Sequence, residues 1–199
     1  MTALAAAGTD CTVRMTAATS DLDDRSLIER IADARDAGAF ERLYHDYRRR
    51  LGPFMYRIVR DPAANEEVFN DVMLTVWRKA ETYNGQSKVS TWIFAIAYRQ
   101  CLKVLRGRPD TVGIDEAPEE SVDERGTTER RDLVGQAIAQ LSPEHRLVIE
   151  LSYFQGNTYS EIAAIADCPE NTVKTRIFYA RRRLKEIMAA LGERPAVED

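Results

Sequence analysis

Cysteine, proline and glycine are all scarce in this chain of 199 residues, which holds 3 Cys, 7 Pro and 10 Gly. The cysteines, Cys11, Cys101 and Cys168, are odd in number and far apart. A disulfide framework or a structural zinc site is therefore not expected, and a reducing cytoplasm is the default location. So few glycines and prolines argue against a sandwich or barrel of many short strands. No apolar run approaches the roughly 18 residues that a membrane span needs.

Signatures of catalysis are also missing. The chain has only two histidines, His45 and His145, and neither lies in a Cys/His or Ser/His motif. The glycines form no phosphate-binding loop, and no pair of ligands has the spacing of a known metal site. The sequence thus predicts no catalytic residue, no metal, no cofactor and no enzymatic activity.

Charge is distributed unevenly along the chain, although the net charge is only −4. Residues 171–185 (NTVKTRIFYARRRLK) carry six basic side chains and no acid. Residues 107–127 hold seven acids against two arginines and are rich in Gly, Pro, Ser and Thr. Such composition predicts a flexible acidic linker between two folded pieces. Disordered tails are expected over 1–20 and 192–199.

The first piece, residues 21–106, has helical periodicity throughout. Gly38 is predicted to interrupt the first helix, and Pro53 to kink or restart the next one. Asp61-Pro62 predicts a helix start, because the carboxylate can cap free amide groups and proline suits the first helical position.

The second piece, residues 128–191, is more diagnostic. Thr158 lies three residues before Glu161, the spacing of a capping box that opens a short helix. A tight turn follows, and then a long helix with apolar residues every three or four positions. A short helix, a turn and a second amphipathic helix with a basic face form a helix-turn-helix, whose second helix enters the DNA major groove. The predicted fold is therefore all-α, with two small helical domains.

A run of arginines is commonly no more than a solvated helical face. Here the run lies on the second helix of the helix-turn-helix, and its leading residues are small or polar. Asn, Lys and Arg side chains can reach base edges, while Thr172 and Arg182 are suited to phosphates. DNA contact is the favoured interpretation.

Both pieces resemble a known family. The segments NDVMLTVW (70–77) and STWIFAIAYR (90–99), with the basic helix 171–185, resemble the extracytoplasmic-function (ECF) sigma factors of bacterial RNA polymerase. The resemblance covers residues 38–190 in the family's order. The rival hypothesis is an ordinary transcription regulator, with a sensor or dimerisation domain in place of the first piece. That regulator would bind duplex DNA without polymerase.

The resemblance implies a role for each piece. Residues 21–106 would bind core polymerase and the −10 promoter element, and residues 128–191 would bind the −35 element. Core polymerase would be bound through its clamp helices and flap, and an anti-sigma factor would hold the protein inactive. The linker would thread the RNA-exit path or serve as a simple tether.

The resemblance also implies three sets of site residues. The clamp helices would be gripped by Asp71, Leu74 and Arg78. The −10 element would be contacted by Tyr83, Asn84, Gln86, Ser87, Lys88, Thr91, Trp92 and Arg99. The −35 element would be contacted by Asn171, Thr172, Lys174, Thr175, Arg176, Phe178 and Arg182. For Trp92 ordinary core packing is an equal alternative, and for Asp71 and Arg78 the alternative is a solvated helical face.

Overall fold

The computed structural model describes residues 23–107 and 133–192. Within these ranges the regular structure is entirely helical, as the all-α prediction requires. The predicted tail over 1–20 lies outside the described residues. So do the predicted linker beyond Gly107 and the second tail beyond Gly192.

Eight α-helices in the described ranges form two units, which we call the N-unit and the C-unit. The N-unit consists of α1 (23–34), α2 (Ala37–Val59), α3 (Pro62–Lys79) with a 3-10 turn at Ala80–Thr82, and α4 (Val89–Gly107). The C-unit consists of α5 (133–139), α6 (Pro143–Ile149) running into a π-helical turn at Glu150–Phe154, α7 (Tyr159–Ala166) and α8 (Glu170–Gly192).

Two helix starts are those predicted from local sequence. The Asp61 carboxylate accepts a hydrogen bond from the Ala64 amide at 3.0 Å, and Pro62 takes the first position of α3. Thr158 and Glu161 form the complete capping box of α7, each side chain bonding the other's backbone amide. A cap of this kind contributes about 1 kcal/mol to helix stability.

The prediction that Gly38 interrupts the first helix is wrong. The break lies at Arg35, which has a φ of 51°, and at Asp36. The Asp36 carboxylate accepts hydrogen bonds from the amides of Gly38 at 2.9 Å and Ala39 at 3.0 Å. Because the cap already binds the Gly38 amide, Gly38 becomes the second residue of α2. The amide of Ala39, followed by the Arg30 side chain, lowers the pKa of the Asp36 carboxyl.

Pro53 was predicted to kink or restart a helix. It does not restart one, since α2 runs unbroken from Ala37 to Val59. Proline inside a helix costs about 3 kcal/mol, because it removes one hydrogen bond and crowds the preceding turn. Here Leu51, Phe54 and Met55 around it are fully buried, in the helix that packs on α3 and α4. That burial offsets the cost.

The two units are packed together. α4 lies against α7, and α2 contacts α6. Buried apolar residues of both units belong to one hydrophobic cluster. Each unit therefore covers part of the other's surface.

Candidate nucleic-acid interface

The helix-turn-helix is formed by α7, the turn at 167–169 and α8. Asp167 ends α7 in the left-handed conformation, with a φ of 51°. The Arg176 guanidinium lies 3.8 Å from the Cys168 sulfur, so this arginine contacts the turn. α8 buries Val173, Ile177 and Ala180 and leaves its basic face outward.

The predicted −35 residues lie along the exposed face of α8. Five are exposed: Asn171, Lys174, Thr175, Phe178 and Arg182. The other two, Thr172 and Arg176, are half-buried.

Local contacts on α8 leave most of these side chains available. Lys174 pairs with Glu170 at 2.9 Å, and Arg182 pairs with Glu186 at 3.4 Å. Exposed pairs of this kind contribute about 0.5 kcal/mol or less. They can be exchanged for phosphate contacts at little cost.

Tyr179 was missed by the sequence reasoning. Its ring lies 5.4 Å from that of Phe178, and the two side chains are 52% and 64% exposed. The spacing from Thr175 to Phe178, Tyr179 and Arg182 already places them on one side of a helix. That spacing could have identified Tyr179 from the sequence.

The predicted polymerase-binding residues share one face of α3. Asp71, Leu74 and Arg78 are all exposed, and Leu74 is 43% exposed despite being a large apolar side chain. The opposite face is buried through Val68, Phe69, Val72, Met73 and Val76. Leu74 is therefore a single exposed apolar side chain flanked on this face by an acid and a base.

The loop between the 3-10 turn and α4 holds five of the predicted −10 residues. Tyr83 donates its hydroxyl proton to the Ser87 carbonyl at 2.5 Å, and Asn84 accepts from the Gln86 amide at 3.1 Å. The Tyr83 ring lies 5.6 Å from the Trp92 ring. The predicted residues thus shape the loop through contacts with one another. Trp92 itself is half-buried.

A cleft of about 320 Å³ separates this loop from α1. Arg25 and Asp33 line its α1 side, and Tyr83 and Asn84 line its loop side. Gly85 has a φ of 70°, and a Cβ there would lie 3.2 Å from the Arg25 guanidinium. Sequence reasoning gave no role to α1, because nothing local connects Arg25 to a loop sixty positions away.

The remaining predicted −10 residues lie at the start of α4 and along it. Arg99 is exposed, whereas Thr91 is only 2% exposed. Lys88 forms an ion pair of 2.7 Å with Glu161 of the C-unit.

Burial is the largest single influence on the Glu161 carboxyl and would raise its pKa. Hydrogen bonds from Lys88 and Thr158, together with the Lys88 charge, outweigh burial and lower the pKa. Glu161 is therefore ionised at neutral pH.

Two features are absent from residues 23–107 and 133–192. Nowhere in these ranges do three His, Cys, Asp or Glu side chains gather closely enough to hold a metal ion. No described helix has both the length and the apolarity needed to cross a membrane.

Comparison with known proteins gives consistent matches over both units. The family described as Sigma-70 region 2 matches residues 43–109, and Sigma-70, region 4 matches residues 137–186. The chain is 32% identical to the ECF RNA polymerase sigma factor RpoE of Cereibacter sphaeroides, over 85% of this chain and 99% of that protein. It is also 32% identical to the ECF RNA polymerase sigma factor SigL of Mycobacterium tuberculosis, over 81% of this chain and 95% of that protein.

Two solved structures share the fold. CnrH, solved in complex with the cytosolic domain of CnrY, has a TM-score of 0.66 at 20% identity over 84% of this chain and 98% of its own. The sigma factor RpoE of Bartonella quintana, solved with the anti-sigma factor NepR, has a TM-score of 0.60 at 23% identity over 75% of this chain and 96% of its own.

Proposed function

Because this chain belongs to the ECF sigma factors of RNA polymerase, we propose that it docks on core polymerase through α3 and directs it to a promoter through α4 and α8. The −10 element is bound and opened at the loop 83–88 and the face of α4. The −35 element is read by α8 in the major groove.

One observation carries this proposal. The basic face of α8 and an exposed leucine of α3, Leu74, lie on separate helices of one chain. Each DNA contact alone is weak. Binding to polymerase would hold both units near one promoter and so raise the effective concentration of the second contact.

Each unit has its own proposed role. Residues 21–106 serve as the polymerase and −10 domain, and residues 128–191 as the −35 domain, joined by the acidic linker 107–127. Asp71, Leu74 and Arg78 contact the clamp helices, and the second domain contacts the flap.

The same proposed role implies where the protein acts and what controls it. The protein acts in the cytoplasm as an initiation factor with no catalysis or cofactor of its own. An anti-sigma factor restrains it, the class of partner with which the Bartonella quintana protein of similar fold was solved.

The test is binding to purified bacterial core polymerase, followed by transcription from a promoter library. Leu74→Lys should weaken core binding at least about tenfold, or about 1.4 kcal/mol. Met188→Lys is the matched control, because Met188 is 44% exposed and Leu74 is 43% exposed. If the wild-type protein does not bind core polymerase but binds duplex DNA sequence-specifically, it is instead an ordinary transcription regulator.

A further inference from the structure

Arg35, between α1 and α2, has an unusual backbone for an arginine. Its φ of 51° lies in the left-handed region, which is strained for a residue with a Cβ and unstrained for glycine. Its amide donates to the Ile31 carbonyl at 3.1 Å and so closes the last turn of α1. Glycine is the usual residue at such a helix end. The arginine side chain must therefore contribute something that glycine could not.

That contribution is a contact with the far end of α3. The Arg35 guanidinium donates through Nη1 to the Trp77 carbonyl and through Nη2 to a Glu81 carboxylate oxygen, the latter at 3.1 Å. Its central carbon also lies 6.0 Å from the centre of the Trp77 ring, within the range of a cation–π contact. Arg35 thus connects the α1–α2 junction to α3 and to the 3-10 turn that follows it.

The Trp77 carbonyl is a suitable acceptor for this side chain. It is one of the last four carbonyls of α3, which have no partner within the α-helix. A cation at a helix C-terminus is also attracted by the negative end of the helix dipole. The contact therefore fixes the end of α3 from outside that helix.

The junction that carries Arg35 is itself held in place. The Asp36 carboxylate caps α2 and also pairs with Arg30 at 2.6 Å. One turn later Ala39 and Leu43 are buried, at 1% and 0% exposure. The guanidinium is therefore presented to α3 from a fixed base.

Both proposed surfaces of the N-unit lie close to the groups that Arg35 binds. Leu74, assigned to polymerase docking, lies three positions before Trp77 on α3. Tyr83, the first of the proposed −10 residues, comes two positions after Glu81. Glu81 itself is exposed, so burial does not fix its side chain. Arg35 therefore holds the chain between the docking face and the −10 loop.

We propose that Arg35 is a positioning residue, which sets the loop 83–88 relative to the docking face of α3 without contacting DNA or polymerase. This inference rests on the proposed function. Because the loop is oriented before docking, less free energy of DNA binding is used to order it. The inference also accounts for an arginine in backbone that favours glycine, since local strain is commonly retained where function depends on it.

Arg35→Gly tests the role without disturbing the turn, because glycine adopts this φ freely. The urea midpoint of the variant should stay within about 0.3 M of wild type. Its affinity for core polymerase should change by less than about twofold. On a promoter selected from the library, the rate of melting at saturating holoenzyme should fall at least about fivefold. Fluorescence of 2-aminopurine placed in the −10 element measures this rate.

Hydrogen exchange of the holoenzyme gives a readout that a merely stabilising role would not move. In Arg35→Gly the amides of 83–87 should exchange at least about threefold faster, while those of 68–76 in α3 should exchange as in wild type. Arg35→Lys keeps one donor for the Trp77 carbonyl but loses the paired geometry of the guanidinium. It should restore part of the melting rate.

Arg30→Ala is the matched control. It removes an arginine and the same charge from the same junction, where Arg30 bonds Asp36, and it leaves the contact with α3 in place. Its holoenzyme should melt the promoter at the wild-type rate. Melting as slow as that of Arg35→Gly would assign the effect to charge and overturn the positioning role.

The remaining outcomes separate the two proposals. An Arg35→Gly holoenzyme that melts the promoter as fast as wild type overturns the positioning role alone. So does a loss of core affinity as large as the loss of melting rate, because Arg35 would then support docking only. Wild-type protein that never binds core polymerase overturns the proposed function, and the positioning role with it.

Discussion

Arg57 of α2 and Glu150 of the π-helical turn form an ion pair of 2.8 Å between residues 93 positions apart. The Glu150 side chain is fully buried, whereas the Arg57 side chain is 38% exposed. The second oxygen of Glu150 is also buried and has no partner among the described residues. Arg57 is therefore the main compensation for a carboxylate removed from water.

Replacing Arg57 should destabilise the fold more than the loss of an ordinary ion pair. Arg57→Met leaves the Glu150 charge buried without its partner. Removing one partner of a fully buried pair lowers the free energy of unfolding by about 3–5 kcal/mol. Because Arg57 is partly exposed, the expected loss here is about 2 kcal/mol. This loss can be measured as the change in the free energy of unfolding, from urea titration at pH 7.

Two controls identify the cause. Arg48 and Glu66 form a slightly shorter but exposed pair, 2.6 Å apart with side chains 41% and 54% exposed. Glu66→Gln should therefore change stability by less than about 0.5 kcal/mol. The double variant Arg57→Met/Glu150→Leu should recover most of the lost stability. A double variant as unstable as Arg57→Met would contradict this account.

Glu150 and Glu161 should give the protein opposite responses to acid. Burial raises the pKa of Glu150 above 4.5 against the opposing charge of Arg57, whereas the pKa of Glu161 is lowered below 4.5. Because its pKa is raised, the Glu150 carboxyl takes up a proton at a higher pH in the folded state than in the unfolded state. The stability of wild type relative to Glu150→Gln therefore increases as pH falls from neutral towards 4.5.

For Glu161 the sign reverses. The advantage of wild type over Glu161→Gln is full above pH 4.5, the unperturbed value, and is lost as pH falls through the lowered pKa. Urea titrations of the three proteins between about pH 3 and pH 8 should give difference curves of opposite slope. Parallel curves would contradict both assignments.

Gly85→Ala should destabilise the loop that faces α1. At a φ of 70° any side chain is strained, and the new Cβ would lie 3.2 Å from the Arg25 guanidinium. The expected loss is about 1 kcal/mol. Gly135→Ala is the control, because Gly135 lies in α5 with nothing within 4 Å of the new Cβ. It should gain up to about 1 kcal/mol. Thermal unfolding of both variants distinguishes strain from a general effect of added alanine.

Asn171 and Arg182 should affect promoter binding differently. Asn171→Ala tests the proposed base contact and should cost about 1–3 kcal/mol at one base pair of the −35 element. Arg182→Ala tests the proposed phosphate contact and should lower the salt slope of binding by about one on all sequences. Holoenzyme affinities for single-base promoter variants over a salt series measure both.

Arg49→Ala serves as the charge control for this series, since that side chain lies on α2 and is 84% exposed. It should leave the salt slope unchanged. A change in slope as large as that of Arg182→Ala would assign the effect to net charge.

Features set by neighbouring residues could be predicted from the sequence. The cap at Asp61 and the box of Thr158 and Glu161 depend on atoms within three positions of one another, and all were confirmed. The exposed basic face of α8 likewise follows from apolar spacing within one helix.

Features set by distant residues could not be predicted. No local pattern connects Arg57 with Glu150, Lys88 with Glu161, or Arg146 with the end of α2. The missing restart at Pro53 has the same origin, since the local preference of proline was outweighed by burial against other helices. Lys88 was predicted as a DNA contact, but its ion-pair partner, Glu161, lies in the other unit.

The unbroken course of α2 through Pro53 has a consequence for synthesis on the ribosome. Pro53 removes one backbone hydrogen bond from the helix. The contacts that compensate for it come from α3 and α4, which are translated later. The half of α2 after Pro53 therefore becomes stably helical only when Val89–Gly107 has left the exit tunnel. Until then Phe54 lacks Phe94 of α4, whose ring lies 4.9 Å from its own in the folded protein.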